Sequence, residues 1–189
     1  MYKQTLPIIL ASKSPRRQEL MKAMGLDFSV ALREVDESYP DHLEPSEIAV
    51  YIAEKKANAF IGTNDHSIVV TADTIVAFNG EILGKPVDEA DARGMLGKLS
   101  GSRHQVYTGV SLCYHGRASS FYDLTEVFFR TLSQEQIDYY IRDYQPFDKA
   151  GAYGIQDWIG MVAVERIEGS YTNVMGLPTE KLYQALMAI

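Results

Sequence analysis

Cysteine is almost missing from this chain. Cys113 is its one thiol in 189 residues, which excludes an internal disulfide framework and a multi-cysteine zinc site. An excess of positive charge is missing too: 18 Lys and Arg stand against 25 Asp and Glu, a net charge of −7. A surface of that sign suits neither general nucleic-acid binding nor an anionic membrane, since both need cations. No apolar run reaches the ~18 residues of a membrane span. The opening Met1-Tyr2-Lys3-Gln4-Thr5-Leu6-Pro7 has no long apolar core and no small-residue cleavage site, so a secretory leader is not expected. Repeats, low-complexity segments and Pro/Gly/Ser-rich linkers are absent as well. What is present is ordinary globular composition, 46% hydrophobic and 23% charged residues. The expectation is a cytoplasmic protein with residues 1–189 forming a single domain.

Short apolar runs alternate with amphipathic segments. Leu6 to Ala11 reads as a buried strand, and Pro15 to Met24 as a helix stopped by Gly25. Phe28 to Val35 reads as a second strand and Pro45 to Ile61 as a long helix with proline near its start and Gly62 past its end. Ser67 to Ala72 is a strong strand signal. Thr74 to Leu83 carries Asn79-Gly80 between apolar runs, the mark of a tight hairpin. Asp88 to Leu99 reads as a helix, and Val106 to Tyr114 and Ser120 to Arg130 as strands around His115-Gly116. Ser133 with Gln136 is a capping box opening a helix to Tyr144. Trp158 to Ile167 reads as a further strand and Thr179 to Met187 as a closing helix. This order fits a mixed α/β fold.

Four stretches carry chemistry. In Ser12-Lys13-Ser14-Pro15-Arg16-Arg17, Ser14 is a good N-cap and Pro15 a good first helical residue. Two arginines in a first turn oppose the helix dipole, which makes sense if an anion binds there; otherwise both face solvent. The stretch is neither a Walker A loop nor a G-x-G-x-x-G fingerprint. Asp73 breaks a near-continuous apolar run from Val69 to Val76. A carboxylate there is costly unless it ends a strand, is paired or holds a metal; it could act as a metal ligand, a general base or a plain turn residue. Lys85, in Leu83-Gly84-Lys85-Pro86, follows the hairpin and by itself is an ordinary surface lysine. Last, Phe147-Asp148-Lys149-Ala150-Gly151-Ala152-Tyr153-Gly154-Ile155-Gln156 combines two glycines, a charged Lys149 and the amide of Gln156, able to read a base edge; the plainer reading is a flexible loop.

Weaker candidates surround these. His42, His66, His104 and His115 lack metal-ligand spacing. Cys113 reads as a buried structural thiol. Glu37, beside Asp36, is either a metal ligand or a solvated loop residue, and Lys56 by default sits on a solvated helix face. Twelve tyrosines and seven methionines leave room for a homodimer surface, although their helical spacing is more often core.

Taken in order, these segments resemble the Maf family of nucleoside triphosphate pyrophosphatases. The likeness runs from Leu10-Ala11-Ser12 to Glu19-Leu20, through Ala72-Asp73-Thr74, Gly84-Lys85-Pro86, Leu99-Ser100-Gly101 and Asp148 to Gln156, and ends at Val174-Met175-Gly176-Leu177-Pro178. The resemblance implies a mixed, twisted sheet with flanking helices, two lobes around a cleft, similar to inosine triphosphate pyrophosphatases. It implies hydrolysis of the α–β phosphoanhydride of a nucleoside triphosphate with a divalent cation, Mg²⁺ or Mn²⁺. Asp73 matches the family's catalytic carboxylate, a proton acceptor, and Asp73 with Glu37 would hold the metal. Ser12, Arg16 and Arg17 match the phosphate-binding loop, with Lys56, Lys85 and Lys149 as further cations. Arg17, Thr74 and Gln156 match the positions that set substrate choice, and this combination resembles the subfamily acting on dTTP and UTP; modified pyrimidine nucleotides are further substrates the likeness allows. One departure is Asp157-Trp158, where the family more often has a glycine after the matched Gln156. Two other expectations stand beside this one: a nucleotide-binding regulator of septum formation acting through a protein partner, and a phosphatase releasing orthophosphate.

Overall fold

In the computed structural model the described residues are 4–63 and 66–189. The opening Met1-Tyr2-Lys3, read above for a leader, lies outside them. In chain order the elements are β1 (Ile8–Leu10), α1 (Pro15–Ala23), β2 (Phe28–Val30), α2 (Pro45–Asn58), β3 (Ile68–Phe78), β4 (Glu81–Leu83), α3 (Glu89–Leu99), β5 (Arg103–Tyr114) and β6 (Arg117–Phe129). There follow α4 (Gln134–Tyr144), a 3₁₀ turn (Ala150–Ala152), α5 (Trp158–Ala163), β7 (Val164–Glu168), α6 (Tyr171–Val174) and α7 (Thr179–Met187). The strands form one sheet in the order β2-β1-β3-β5-β6-β7, with β4 paired to β3. β1 runs parallel to both β2 and β3, while the β3–β4 and β6–β7 pairs are antiparallel. The mixed α/β expectation is met.

Two compact units divide the chain. Unit 1 comprises Met1–Thr74, Thr108–Asp123 and Gly176–Ile189; unit 2 comprises Ile75–Tyr107 and Leu124–Met175. In unit 1, Ile8, Leu10, Met21, Ile68, Leu112 and Leu182 are fully buried, each contributing about 1.5–3 kcal/mol of hydrophobic stabilisation. Helix α2 lies directly on β5 where Gly109 leaves out a side chain. A Cβ there would fall 2.3 Å from the Ala49 carbonyl, so only glycine admits the helix. The Thr71 hydroxyl then donates to the Ala53 carbonyl at 2.7 Å, fixing α2 against β3. In unit 2, α3 packs on α4 and on the 3₁₀ turn, burying Leu96, Leu99, Ile137 and Ile141.

Three sequence expectations are corrected. The strand expected to end near Asp73 does not: β3 continues through that residue to Phe78. The strand expected over Trp158 to Ile167 is helical as far as Ala163, and only then extended. Its apolar run Trp-Ile-Gly-Met-Val-Ala carries no period that separates a strand from a short buried helix. The strand expected over Phe28 to Val35 stops at Val30, because its parallel partner β1 offers backbone only from Ile8 to Leu10. The Asn79-Gly80 hairpin stands as read, with φ of 50° and 83° joining Phe78 to its partner Glu81.

Candidate active site

Helix α1 begins as its sequence dictates. Ser14 caps it by accepting from the Arg17 amide at 3.4 Å, and Pro15 takes the first turn. Ser12, two residues past the end of β1, is buried, and its hydroxyl accepts from the Ser14 amide at 3.2 Å and from Arg17 Nη1 at 3.3 Å. The two neighbouring arginines differ. Arg17 turns into the protein: Nε donates to the Gly176 carbonyl at 2.7 Å and Nη2 to the Thr74 hydroxyl at 3.1 Å. Thr74 in turn shares a hydrogen bond with the buried Thr108 hydroxyl at 3.0 Å. Each terminal nitrogen of Arg17 keeps one N–H not used by these bonds. Burial lowers the guanidinium pKa from its ordinary value, and the charge of Asp73 opposes that shift. Gly176 is required here on two counts. Its φ is +106°, and a Cβ would sit 3.3 Å from Thr74 Oγ1 and 3.6 Å from Arg17 Nε.

On the neighbouring residue of β3, Asp73 meets Lys56. The ammonium lies 2.7 Å from Asp73 Oδ1 and 2.9 Å from Glu37 Oε1. Lys56 reaches this point from the last turn of α2. The solvated helix face expected for it by default is therefore corrected: its side chain is 17% exposed and that of Asp73 is 14%. Pairing is what makes a carboxylate tolerable at this point of a buried strand. Glu37 is half-exposed.

Lys85, Lys149 and Gln156 belong to unit 2. The segment from Lys149 to Gln156 is built, not loose. The Gly151 amide donates to the Gly84 carbonyl at 3.0 Å, beside Lys85, and its φ of +68° with a Cβ position 2.9 Å from Val76 Cγ1 admits only glycine. Lys149 is 13% exposed and pairs with Asp148 at 2.7 Å and more distantly with Asp157 at 3.9 Å. The Tyr140 hydroxyl donates to Asp157 Oδ2 at 2.6 Å and accepts from the Gly154 amide at 3.0 Å. Burial, reinforced by the Asp157 carboxylate, raises the phenol pKa and keeps the proton on the oxygen. Gln156 and Lys85 present exposed side chains.

Thus Ser12, Arg17 and Thr74 are joined by hydrogen bonds, and Glu37, Lys56 and Asp73 by ion pairs, all within unit 1. Arg16 is half-buried in the same first turn. Two participants carry no local chemical signal, Thr108 in unit 1 and Tyr140 in unit 2; Gly176 and Asp157 stand out in the sequence only as members of longer segments, with no sign of these contacts. Their roles arise from contacts between segments far apart in the chain.

Among the described residues no group of three or more His, Cys, Asp and Glu side chains is placed to hold a metal ion. The Asp73 and Glu37 oxygens do converge on one cation, the Lys56 ammonium. Two hard oxygen donors fit Mg²⁺ or Mn²⁺, which take one or two carboxylates and complete their shell with water and phosphate oxygens. No helix of the described residues is long and apolar enough to cross a membrane.

Comparison with known proteins follows the same lines. The chain is 54% identical over 181 residues to a protein of Phocaeicola vulgatus named dTTP/UTP pyrophosphatase, covering 95% of this chain and 94% of that one. It is 49% identical over 183 residues to a protein of the same name from Flavobacterium johnsoniae, covering 96% and 94%. Among solved structures it resembles a HAM1 protein from Coxiella burnetii with a TM-score of 0.52 at 13% identity, over 98% of this chain and 100% of the other. It resembles the Staphylococcus aureus Ham1 protein with a TM-score of 0.50 at 19% identity, over 95% and 99%. These structural likenesses speak for the fold. The family model described as Maf-like protein matches residues 7–189, so the chain belongs to the Maf-like protein family.

Proposed function

We propose that this protein hydrolyses the α–β phosphoanhydride of nucleoside triphosphates, preferentially dTTP and UTP, releasing the nucleoside monophosphate and pyrophosphate. The observation that carries this reading is the Glu37–Lys56–Asp73 cluster in the same unit as the half-buried Arg17. Relatives about half identical over nearly the whole chain, named dTTP/UTP pyrophosphatase, support the choice of base.

A triphosphate carries about four negative charges, and a chain of net charge −7 must meet them locally. Arg16, the remaining N–H groups of Arg17, Lys56, Lys85 and Lys149 are the cations assigned to it, with Ser12 holding Arg17 in place. Asp73 accepts the proton of the attacking water as its oxygen bonds to the α-phosphorus. The bond from that phosphorus to the bridging oxygen breaks, and pyrophosphate leaves with the electron pair. Lys56 balances the charge on Asp73 and Glu37 before the substrate arrives, and positioning with fixed charge supplies most of the acceleration. Asp73 and Glu37 would hold the divalent cation, which when bound supplies Lewis-acid polarisation and neutralisation of phosphate charge. The Gln156 amide can accept from N3–H and donate to O4 of uracil or thymine, and Arg17 and Thr74 are the other two positions assigned to substrate choice. Neither a homodimer nor a septation partner enters this reading.

The test is a product assay. Purified protein with Mg²⁺ is incubated with dTTP, UTP, CTP, ATP, GTP and 7-methylguanosine triphosphate, and monophosphate and pyrophosphate are quantified. Fast pyrophosphate release from dTTP and UTP is expected. Asp73→Asn should lower kcat by about 10³-fold, the scale of a lost general base; near-normal turnover in that variant refutes the role of Asp73. Orthophosphate as the first product would indicate a phosphatase, and no turnover with any triphosphate would return the choice to a binding protein.

A further inference from the structure

Asp157 sits at the N-cap of α5, where an aspartate normally accepts a bond from the helix amides. It makes no such bond. Its carboxylate is turned instead to the Tyr140 hydroxyl, at the short distance of 2.6 Å. Tyr140 is fully buried on α4, and the same oxygen accepts from the Gly154 amide. One phenol thus ties three points: α4, the middle of the 149–156 segment, and the residue after Gln156. The fit over this clamp is tight. A Cβ on Gly154 would stand 2.5 Å from Asp157 Oδ2 and 3.0 Å from Lys149 Cε, and one on Gly160 would stand 1.9 Å from the Ile155 carbonyl. The chain therefore packs backbone against the Asp157 carboxylate and the Lys149 stem, with no room for a side chain between. Both residues assigned to substrate in this segment, Lys149 and Gln156, hang from the clamped stretch.

We propose that Asp157, gripped by Tyr140, is a positioning residue that holds Lys149 and Gln156 in the geometry that binds phosphate and reads the base. The inference deepens the pyrophosphatase reading and rests on it. Lys149 and Gln156 act on bound substrate and transition state alike. A loosened clamp is therefore felt in KM and in base discrimination more than in kcat.

Three variants separate the geometry from the charge. Tyr140→Phe removes the shared oxygen, and Asp157→Ala removes its acceptor. Asp157→Asn keeps an oxygen that accepts from the phenol but carries no charge. Loss of a hydrogen bond to a charged group corresponds to a KM increase of about tenfold. That increase is expected for Tyr140→Phe and Asp157→Ala with UTP, together with a reduced preference for UTP over CTP and a kcat within about threefold of the parent. Asp157→Asn should keep KM within about threefold of the parent. The second readout needs no nucleotide. Trp158 is the chain's one tryptophan and lies 4.9 Å from the Tyr139 ring, so acrylamide quenching of its fluorescence reports order at the end of the clamp. Quenching should rise in Tyr140→Phe and Asp157→Ala and stay low in Asp157→Asn. Parental KM, base preference and quenching in Tyr140→Phe and Asp157→Ala overturn the proposal, as does an Asp157→Asn variant as impaired as Asp157→Ala. Absence of any triphosphate turnover in the parent protein would instead overturn the function on which the proposal rests, and the quenching series would still show whether the clamp exists.

Discussion

Replacing Lys56 with methionine tests the energetics of the proposed catalytic cluster. The ammonium lies 2.7 Å from Asp73 and 2.9 Å from Glu37. At an effective dielectric of ~20 the gross attraction at such a distance is about 6 kcal/mol per pair. Desolvation offsets most of it, since the Lys56 and Asp73 side chains are only 17% and 14% exposed. Lys56→Met preserves the packing of the stem but leaves Asp73 as a largely buried carboxylate without a cation. That stranded charge should cost about 2–3 kcal/mol of stability. Asp73→Asn is milder, about 1 kcal/mol, because Glu37 still faces the ammonium. In the double variant no largely buried charge is stranded, so its cost should fall well short of the sum of the two. Urea denaturation of the four proteins at pH 7 gives the coupling directly, and about 1–2 kcal/mol is expected. The coupling should change little between low and moderate salt, because pairs shielded from solvent are weakly screened. Single-variant costs that add to within about 0.5 kcal/mol would refute the argument.

Other consequences are as specific. Gly176→Ala places a side chain at φ +106° and 3.3 Å from the Thr74 hydroxyl; it should cost about 1–3 kcal/mol in a urea melt and raise KM for dTTP as Arg17 loses its carbonyl. Burial holds the His104 pKa down to about 4 from 6.5. The unfolded chain therefore binds the extra proton first, and stability present above about pH 6.5 is lost as pH falls toward 4, by up to about 3 kcal/mol. His104→Gln should flatten that part of the stability–pH curve, measured by denaturation at pH 7, 5.5 and 4.5. Chelation with EDTA should abolish pyrophosphate release, with Mg²⁺ or Mn²⁺ restoring it; full activity in excess chelator would remove the divalent cation from the reaction.

Much of this was legible in the sequence where the cause is local. Ser14-Pro15 opening α1, Ser133 with Gln136 opening α4 and Asn79-Gly80 turning β3 into β4 are short-range devices, and each lies where its residues direct. The candidate carboxylate and its cations were also readable as residue types. Their partners were not. Nothing near Arg17 announces that its guanidinium will close on a carbonyl 159 residues away, nor that Arg16, one residue earlier, will be left out of that arrangement. Lys56 looked like a solvated helix residue because the strand that buries it lies in another part of the chain. Asp157 is a second case of a partner the sequence does not announce. An aspartate before Trp-Ile-Gly-Met-Val-Ala is a helix-start signal, but the apolar run behind it reads equally as strand, and its carboxylate is spent on Tyr140 rather than on the cap.

The Gly176 carbonyl that receives Arg17 also sets a timetable. Unit 1 draws on Met1–Thr74, Thr108–Asp123 and Gly176–Ile189, so its third piece is translated only after all of unit 2. At ~5–20 residues per second a ribosome takes roughly ten to thirty seconds to go from the arginine to its acceptor, 159 residues later. From the addition of Asp73 onward the nascent chain carries that carboxylate and Lys56 but cannot yet anchor the guanidinium. A message truncated between Asp73 and Gly176 yields a polypeptide with its carboxylate and no seat for Arg17, so this centre is completed only after all of unit 2 has been made.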